Sequence, residues 1–372
     1  MESSGVKWVR LGDYIEQFRQ KCANNKAIVS GVDINKRFIP TRANLDGTDI
    51  SGYYLVPPTF FACNLMHIGR DERIPIAYND TDKDLVVTSA YYVFHIKQDK
   101  CDEILNEYLY IIFSNKEIDR LTWFYTDSSI RGNLKENRFL DIKMPLPSVA
   151  EQQKVVNTWR AFREIKEQNE AKAAPLMQLC QSYIQELKHK YPMQEIGPYI
   201  HRIDERNTDN KIKEVRSVSV SKNFNATNAK VDKNNLSNYK IVRENQISFV
   251  QTTGNEKCLC AAINHLGFPI VVTSVNEVFE TDEKYLLADY LHLIFRRTET
   301  DRYARFNSWG SARETFTWED MTRFAIPLPS IEVQQAIVNI YKCANEAKQI
   351  AEEADRLSRE VCPALLQHVI HS

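Results

Sequence analysis

The stretch PLPSVAEQQKVVNTW at residues 145–159 occurs a second time, slightly altered, as PLPSIEVQQAIVNIY at residues 327–341. Each copy passes from a proline-restricted, extended segment into a run whose apolar residues have helical spacing. Ser148 and Glu151 have the spacing of a capping box, which the second copy lacks because Val333 replaces the glutamate. Either a common helix start is used twice by chance, or the chain consists of two related halves.

The similarity between the two copies extends far beyond this motif. At a separation of 182 residues, segment 105–166 aligns without gaps with segment 287–348. Toward the N-terminus the separation rises to 185 and then to 186 residues, and the order of the matches is kept. An ordered set of matches with a slowly drifting separation indicates duplication followed by small insertions in loops. The sequence therefore predicts an internal repeat of one unit.

Each copy predicts an α+β globular part followed by a long helix. Residues 83–97 are rich in valine, tyrosine and phenylalanine, which is typical of strands, whereas residues 102–115 place leucine and isoleucine at helical spacing. We predict the following organisation: a globular α/β domain at 1–147, a central helix at 148–190, a second related α/β domain at 191–329, and a C-terminal helix at 330–372.

The C-terminal helix has an apolar seam with alternating steps of three and four residues, which is typical of a coiled coil. The seam consists of Ile337, Ile340, Ala344, Ala347, Ala351, Ala354, Ser358, Val361 and Leu365. Its counterpart in the central helix is polar at Asn169 and Lys172, and Pro175 predicts a kink or a restart there. We expect two helices of about 60 Å that pack antiparallel and separate the domains. The alternative is that each helix packs only on its own domain.

Composition excludes several classes of protein. A hydrophobic content of 43% with 10% aromatic residues is typical of a globular chain, and no apolar run approaches the ~18 residues of a membrane span. Because residues 1–15 also lack the apolar core of a signal peptide, we expect a cytoplasmic protein. The eight cysteines lack paired metal-ligand spacing, so we expect no metal site. A net charge of −1 neither favours nor excludes nucleic acid, because only a local basic face is needed.

The sequence lacks the motifs of the common catalytic sites. It has neither a G-x-x-x-x-G-K-[ST] phosphate loop nor a glycine-rich dinucleotide loop. VPPTF at residues 56–60 differs from the Asn/Asp-Pro-Pro-aromatic motif of amino-methyltransferases, because Val56 cannot accept a hydrogen bond from an amino group. We therefore predict a protein with no catalytic residues and no cofactor.

Alternation of an α+β domain with a PLP-x-x-x-x-QQ helix, twice in one chain, resembles the specificity subunit of type I restriction–modification systems. The resemblance covers nearly the whole chain and is most specific at IKMPLPSVAEQQ, FAIPLPSIEVQQ and the loops SSIRGNLKENRFLDI and GSARETFTWEDMTRF before them. It implies two target recognition domains related by an approximate two-fold axis. Each domain reads one half of a bipartite site in double-stranded DNA, and the helices fix the gap. It also implies partners: two methyltransferase subunits and the ATP-dependent translocase (restriction) subunits.

Ten residues are candidates for DNA contact. They are Lys36, Arg37, Arg70, Arg73, Arg131, Lys135, Lys222, Asn255, Lys257 and Arg313. Arg131 and Arg313 are shared by both copies, which suits contacts with phosphate, whereas loops that differ in chemistry suit the reading of different bases. Solvated surface charge is the alternative for the loop residues, and an internal salt bridge is the alternative for Arg131 and Arg313.

Two other functions are compatible with the same pattern. A coiled-coil scaffold with two protein-binding domains would show no salt-dependent binding of duplex DNA. A component of a split-site DNA methyltransferase would need cofactor motifs, which the sequence lacks.

Overall fold

The structure, a computed structural model, describes residues 6–22, 28–41, 45, 48–66, 68–127, 132–227, 230–253, 258–310 and 314–371. The chain forms two compact units. Unit 1 comprises residues 1–168 and 350–372, and unit 2 comprises residues 169–349. Each of the two long helices therefore contributes one part to each unit.

Unit 1 combines short strands with short helices before the first long helix. Its elements are β1 Lys7–Arg10, α1 Leu11–Tyr14, β2 Ile15–Gln17, β3 Ile28–Val32, β4 Phe38–Pro40, β5 Tyr54–Val56, β6 Phe61–Cys63, α2 Ile68–Asp71, β7 Ile76–Tyr78, β8 Leu85–Val87, β9 Tyr92–Ile96, α3 Asn106–Phe113, α4 Lys116–Phe124, α5 Glu136–Leu140, β10 Lys143–Leu146 and the start of α6 Val149–Lys190.

Two four-stranded sheets and a two-stranded ribbon form the β part of unit 1. The strand orders are β2-β9-β6-β7 and β4-β3-β8-β5, and β1 pairs with β10. The β3–β8 pair is parallel, whereas the other pairs are antiparallel. Helix α3 packs on the first sheet, and Tyr108, Phe61, Phe94 and Phe113 are fully buried between them.

Unit 2 repeats this order of elements. They are β11 Met193–Glu195, β12 Ile200–Ile203, β13 Arg216–Val218, β14 Phe224–Ala226, β15 Lys240–Val242, β16 Ile247–Val250, β17 Thr252–Thr253, β18 Ala261–Ile263, β19 Ile270–Val272, β20 Asn276–Thr281, α7 Ala288–Phe295, α8 Thr298–Phe306, β21 Glu314–Thr315, α9 Trp318–Thr322, β22 Ala325–Pro327 and α10 Ile331–His371.

The sheets of unit 2 match those of unit 1, except that the short pair β17-β21 has no counterpart among the described strands of unit 1. The four-stranded sheet β12-β20-β16-β18 corresponds to β2-β9-β6-β7, and the ribbon β11-β22 corresponds to β1-β10. The pairs β13-β14 and β15-β19 correspond to the second sheet, and a parallel bridge from Val215 to Val271 replaces the β3–β8 pairing. The prediction of an α+β fold with an internal repeat is confirmed.

The first glutamine of the repeated motif fixes the start of the long helix in each unit. Gln152 is fully buried; its amide nitrogen donates to the carbonyls of Glu103 (2.8 Å) and Pro147 (3.0 Å), and its oxygen accepts from the backbone of Leu105 (3.0 Å). Gln334 makes the same three bonds with Tyr285, Pro329 and Leu287, at 2.8, 2.9 and 2.9 Å. In each unit one buried side chain thus ties the long helix to the loop before the α3 or α7 helix.

The two long helices pack together in unit 1, and they run antiparallel there. Val155 and Val156, near the start of α6, share a core with Leu366 and Val369, near the end of α10. Further along α6, the Lys166 ammonium binds the Asp355 carboxylate at 2.7 Å. In unit 2 the Cys180 thiol lies 3.9 Å from the Ile337 carbonyl of α10. The helices also pack on the globular part of their unit. The predicted helix-on-helix packing is confirmed, and the alternative in which each helix packs only on its own domain is wrong.

The details of the long helices differ from the sequence prediction in two respects. Helix α6 continues through Pro175, so the predicted restart does not occur, although a proline inside a helix removes one backbone hydrogen bond and crowds the preceding turn. The seam also shifts by one residue in places. Cys180 and Ile184 are buried, whereas Leu179 and Tyr183, which correspond to Val361 and Leu365 of the C-terminal seam, are each 44% exposed. An α-helix repeats every 3.6 residues, so a strict heptad seam drifts around it.

Candidate nucleic-acid interface

The predicted contact residue Lys36 lies in the turn between β3 and β4, and its ammonium points into unit 1. Lys36 is 6% exposed, and its ammonium binds the Asp119 carboxylate of α4 at 2.5 Å. The same carboxylate oxygen accepts the backbone N–H of Ile74 at 3.2 Å. Burial lowers the pKa of the lysine, and the Asp119 carboxylate opposes that change. Asp119 therefore joins the β3–β4 turn, the segment before β7, and α4.

Unit 2 contains the same connection. Lys222 is 5% exposed and binds Asp301 of α8 at 2.6 Å, and the backbone N–H of Leu259 donates to Asp301 at 3.0 Å. We call the two ion pairs, Lys36–Asp119 and Lys222–Asp301, the lysine ties. Both lysines have a left-handed backbone, with φ of 63° and 61°. Such a φ is rare for a residue with a long side chain, so the tie holds each turn in a strained conformation.

The sequence predicted DNA contact for Lys36 and Lys222, and that stays a prediction. The structure gives both buried ammonium groups carboxylate partners within their own unit, a role that the sequence did not indicate. A buried lysine beside an aspartate 83 or 79 residues away is not visible as a local pattern. The one sequence signal for the pairing is the duplication, because Lys36 aligns with Lys222 and Asp119 aligns with Asp301.

Two further candidates in unit 1, Arg37 and Arg73, lie beside the lysine tie and are exposed. Arg37 follows Lys36 directly, and Arg73 precedes Ile74; both are exposed. The positive charge of Arg73 also lowers the pKa of Lys36, so the two cations lie close together. Arg70 is exposed on α2 and forms two hydrogen bonds with its neighbour Asp71, at 2.7 and 3.0 Å. The tie thus brings together cationic segments that are far apart in sequence.

Lys135 lies next to a second place in unit 1 where two segments distant in sequence come together. It is exposed, and the segment before it lies against α2: the backbone N–H of Gly69 donates to the Gly132 carbonyl at 3.1 Å, and that of Leu134 donates to the Leu65 carbonyl at 2.8 Å. Gly132 has a φ of +59°, and a Cβ there would lie 2.3 Å from the Gly69 Cα. The close approach of the two backbones therefore requires glycine.

Four predicted residues lie outside the described part of the chain. They are Arg131, Asn255, Lys257 and Arg313.

Unit 2 has a polar cleft that the sequence did not predict. It measures about 450 Å³, and its lining includes Arg216, Lys230, Asn235 and Asn276. The Arg216 guanidinium binds Glu214 at 2.7 Å through one terminal nitrogen, while its Nε is buried and makes no hydrogen bond to any described residue. At the position that corresponds to Asn276, unit 1 has Tyr91, whose hydroxyl accepts the backbone N–H of Val32 at 3.1 Å.

The described residues hold no cluster of three or more histidine, cysteine, aspartate or glutamate side chains with metal-binding geometry. In the same part of the chain, no helix is long and apolar enough to span a bilayer.

A solved structure shares the fold along the whole chain. The crystal structure of the type I restriction–modification system S subunit from M. genitalium matches with a TM-score of 0.65 and covers 99% of this chain and 97% of that chain. This chain has the fold of that S subunit. The sequence identity is 11%, so the comparison establishes the fold and leaves the function to be proposed.

Two further structures match at lower scores. The HsdS subunit from Thermoanaerobacter tengcongensis has a TM-score of 0.40 at 14% identity and covers 99% of this chain and 97% of that chain. A chain from a structure describing complex assembly and conformational transition of the type I R-M system has a TM-score of 0.45 at 13% identity, with 99% and 98% covered. Both scores are below 0.5, so the shared fold rests on the first comparison. No family model and no curated protein sequence matches this chain.

Proposed function

We propose that this chain is the DNA sequence-specificity subunit of a type I restriction–modification complex in the cytoplasm. In this proposal, residues 1–147 and 191–329 are target recognition domains, each of which reads one half of a bipartite DNA site. Residues 148–190 and 330–372 form the spacer helices. The observation that carries the proposal is the fold similarity to an S subunit over 99% of the chain.

In this proposal, the chain recognises the DNA sequence and its partner subunits carry out catalysis. The partners are two methyltransferase subunits and the ATP-dependent translocase subunits, so the chain itself needs no cofactor. The internal duplication supports a bipartite site, because two related domains in one chain can each read one DNA segment. Surface cations around the lysine tie in unit 1, such as Arg37 and Arg73, support phosphate or base contact.

We assign the candidate residues two kinds of role within this proposal. Those that contact DNA are Arg37, Arg70, Arg73, Arg131, Lys135, Asn255, Lys257 and Arg313. Lys36 and Lys222 hold the contact-bearing turns in place, because their ammonium groups are bonded inside the domain.

Sequencing of the methylome tests the proposal. The chain is expressed together with a type I methyltransferase subunit that co-purifies with it, in cells that lack other modification systems. We expect methylated bases in one motif that has two defined parts and an undefined gap. An assembled complex with active methyltransferase but no bipartite motif would contradict the proposal. If the purified chain also fails to bind duplex DNA in a salt-dependent manner, the scaffold alternative is favoured.

Changing the length of the spacer helices tests whether the helices set the gap while the domains set the half-site sequences. Removal of one heptad from α6, with a matched removal from α10, shortens each helix by about 10 Å, which corresponds to about three base pairs. We expect the gap of the methylated motif to change and both half-site sequences to stay the same. Altered half-sites with an unchanged gap would show that the helices do not set the spacing.

A further inference from the structure

Helices α4 and α8 end in the same exposed aromatic residue. The exposed fractions of Phe124 and Phe306 are 79% and 86%, and these two residues correspond in the internal repeat, 182 positions apart. Four residues before each of them stands an exposed arginine, Arg120 or Arg302. Residues four apart lie on one face of a helix, so each unit presents an arginine and a phenylalanine side by side. We call these two faces the Arg–Phe surfaces.

Packing does not explain why both copies have kept these residues. Most residues shared by the two copies are buried, such as Tyr108 and Tyr290, or make the same internal bonds, such as Gln152 and Gln334. A single exposed apolar residue is common on protein surfaces and by itself indicates nothing. The same exposed phenylalanine beside the same arginine in two diverged units, however, favours a contact outside the chain. The next position back differs: Trp123 in α4 corresponds to Arg305 in α8.

The charges around the Arg–Phe surfaces favour an anionic partner. The lysine ties neutralise the Asp119 and Asp301 carboxylates, which directly precede the two arginines. On α8, the Glu299 carboxylate binds Lys188 at 2.9 Å and Arg297 at 2.7 Å, so that Arg302 and the exposed Arg305 are the dominant charges. On α4, Glu117 binds Arg120 at 2.7 Å, and the exposed Lys116 adds a further positive charge. Each surface is therefore net cationic beside an exposed ring.

We propose that the two Arg–Phe surfaces contact duplex DNA, each next to its own half-site. In this inference, which rests on the proposed function, Arg120 and Arg302 bind backbone phosphates. Phe124 and Phe306 pack against the adjoining sugar and base step. Because both units use the same two residues, the contact positions the domains and does not select bases. The lysine ties orient the surfaces, because Asp119 and Asp301, which they hold in place, directly precede the two arginines.

Duplex DNA fits this pair of surfaces better than a protein does. The backbone offers the same phosphates and sugars to both units, so one pair of residues serves at two different half-sites. Two copies of one protein partner, such as the proposed methyltransferase subunits, would also meet the same residues in both units, so the preference for DNA rests on the net positive charge of both surfaces.

Binding of a 40-base-pair duplex of random sequence to the full chain, followed by fluorescence anisotropy at several salt concentrations, tests the inference. We expect the double variant Phe124→Ala/Phe306→Ala to weaken binding about tenfold, with unchanged thermal unfolding because both rings are exposed. Arg120→Gln/Arg302→Gln should reduce the slope of log affinity against log salt by about 2, which is about 1 for each lost phosphate contact. The matched control is Trp8→Ala, which removes an aromatic residue that is 57% exposed and present in the first copy alone.

The outcomes separate this inference from the proposed function. If the wild-type chain binds the duplex and all four substitutions leave affinity and salt slope unchanged, the inference is overturned, while the proposed function stands. Loss of co-purifying protein in the phenylalanine variant, with DNA binding intact, would assign the surfaces to a protein partner and would likewise overturn the inference. If the wild-type chain shows no salt-dependent binding, both proposals fail. A Trp8→Ala effect equal to that of the phenylalanine variant would show that any exposed aromatic residue acts the same way.

Discussion

The lysine ties of the two units are alike, but the group that supports each lysine differs. In unit 1, the Tyr110 hydroxyl donates to the carbonyl of Lys36 at 3.0 Å. In unit 2, His292 occupies the corresponding position, and its Nε2 lies 3.0 Å from the Lys222 carbonyl. The frame is thus the same in the two copies, whereas the side chain that supports it has changed from a phenol to an imidazole, which titrates in a different pH range.

A similar contrast separates the clefts beside the second sheets. Tyr91 binds the end of β3 in unit 1, whereas Asn276 lines an open polar cleft beside Arg216 in unit 2. The comparison teaches that the copies keep the lysine–aspartate contacts that fix the turns, whereas the side chains around those contacts and beside the second sheets have diverged. Under the proposed function, a shared backbone frame with diverged side chains suits two domains that read different half-sites.

The largest expected effect comes from breaking one lysine tie while the other is intact. Lys222→Met leaves the Asp301 carboxylate, which is 24% exposed, without its cation and the Phe295 carbonyl without its donor. We expect this to lower the stability of unit 2 by about 4 kcal/mol. Hydrogen exchange followed peptide by peptide should show faster exchange in unit 2 and unchanged exchange in unit 1. The combination Lys222→Met/Asp301→Asn should recover most of the loss, because asparagine still accepts the backbone N–H of Leu259. If the single variant is as stable as the wild type, the tie has no structural role.

The next largest effect concerns the two neighbouring glutamines of the repeated motif. Gln334→Leu leaves two carbonyls and one N–H without partners in a buried site, so we expect a loss of about 3 kcal/mol in unit 2. Gln335→Leu is the matched control. Among the described residues its exposed side chain bonds only to Asn339, so denaturant unfolding should change by less than about 0.5 kcal/mol. Equal effects of the two variants would contradict the assigned role of the first glutamine.

A difference in pH dependence should separate the two units. Burial and the positive charge of Arg296 lower the pKa of His292 to about 4, against the opposing effects of its hydrogen bond to Lys222 and of Asp289; His265 adds to the lowering. The unfolded chain takes up this proton near pH 6.5, but the folded chain does not. Unit 2 should therefore lose about 2 kcal/mol of stability as the pH falls from 6.5 to 4.

The variant His292→Gln keeps an N–H donor that does not titrate, so it should flatten this pH dependence in unit 2. Hydrogen exchange at pH 7 and at pH 4.5 measures the effect, with unit 1 as the internal control, because Tyr110 does not change charge in this range. The same acid response in the variant and in the wild type would assign the effect to other groups.

The smallest expected effect concerns the ion pair that joins α7 to α10. Burial raises the pKa of Asp289, but hydrogen bonds from His265 (2.6 Å) and Lys342 (2.7 Å) outweigh burial and hold the pKa at about 2. The stabilisation is present above about pH 4 and is lost as the pH falls toward 2. Asp289→Asn should cost about 1 kcal/mol at pH 7 and weaken the acid dependence below pH 4, measured by denaturant unfolding. No change at pH 7 would show that the pair is neutral for stability.

Part of the candidate interface could be predicted from the sequence. Arg37, Arg70, Arg73 and Lys135 are exposed as expected, because charged residues in loops between strands lie on the surface. The burial of Lys36 and Lys222 could not be predicted. A short stretch around either lysine looks like a solvent-exposed turn, and its aspartate partner lies about 80 residues away.

By itself, the sequence determined the internal repeat, the α+β class and the two long helices, because duplication and apolar periodicity are local or directly comparable between copies. Only the tertiary structure decided which seam residues are buried, that α6 runs through Pro175, and which cations face inward. Those outcomes depend on contacts between segments distant in sequence. There, the cost of burying a charge is offset only if a partner such as Asp119 or Asp301 lies within hydrogen-bond reach.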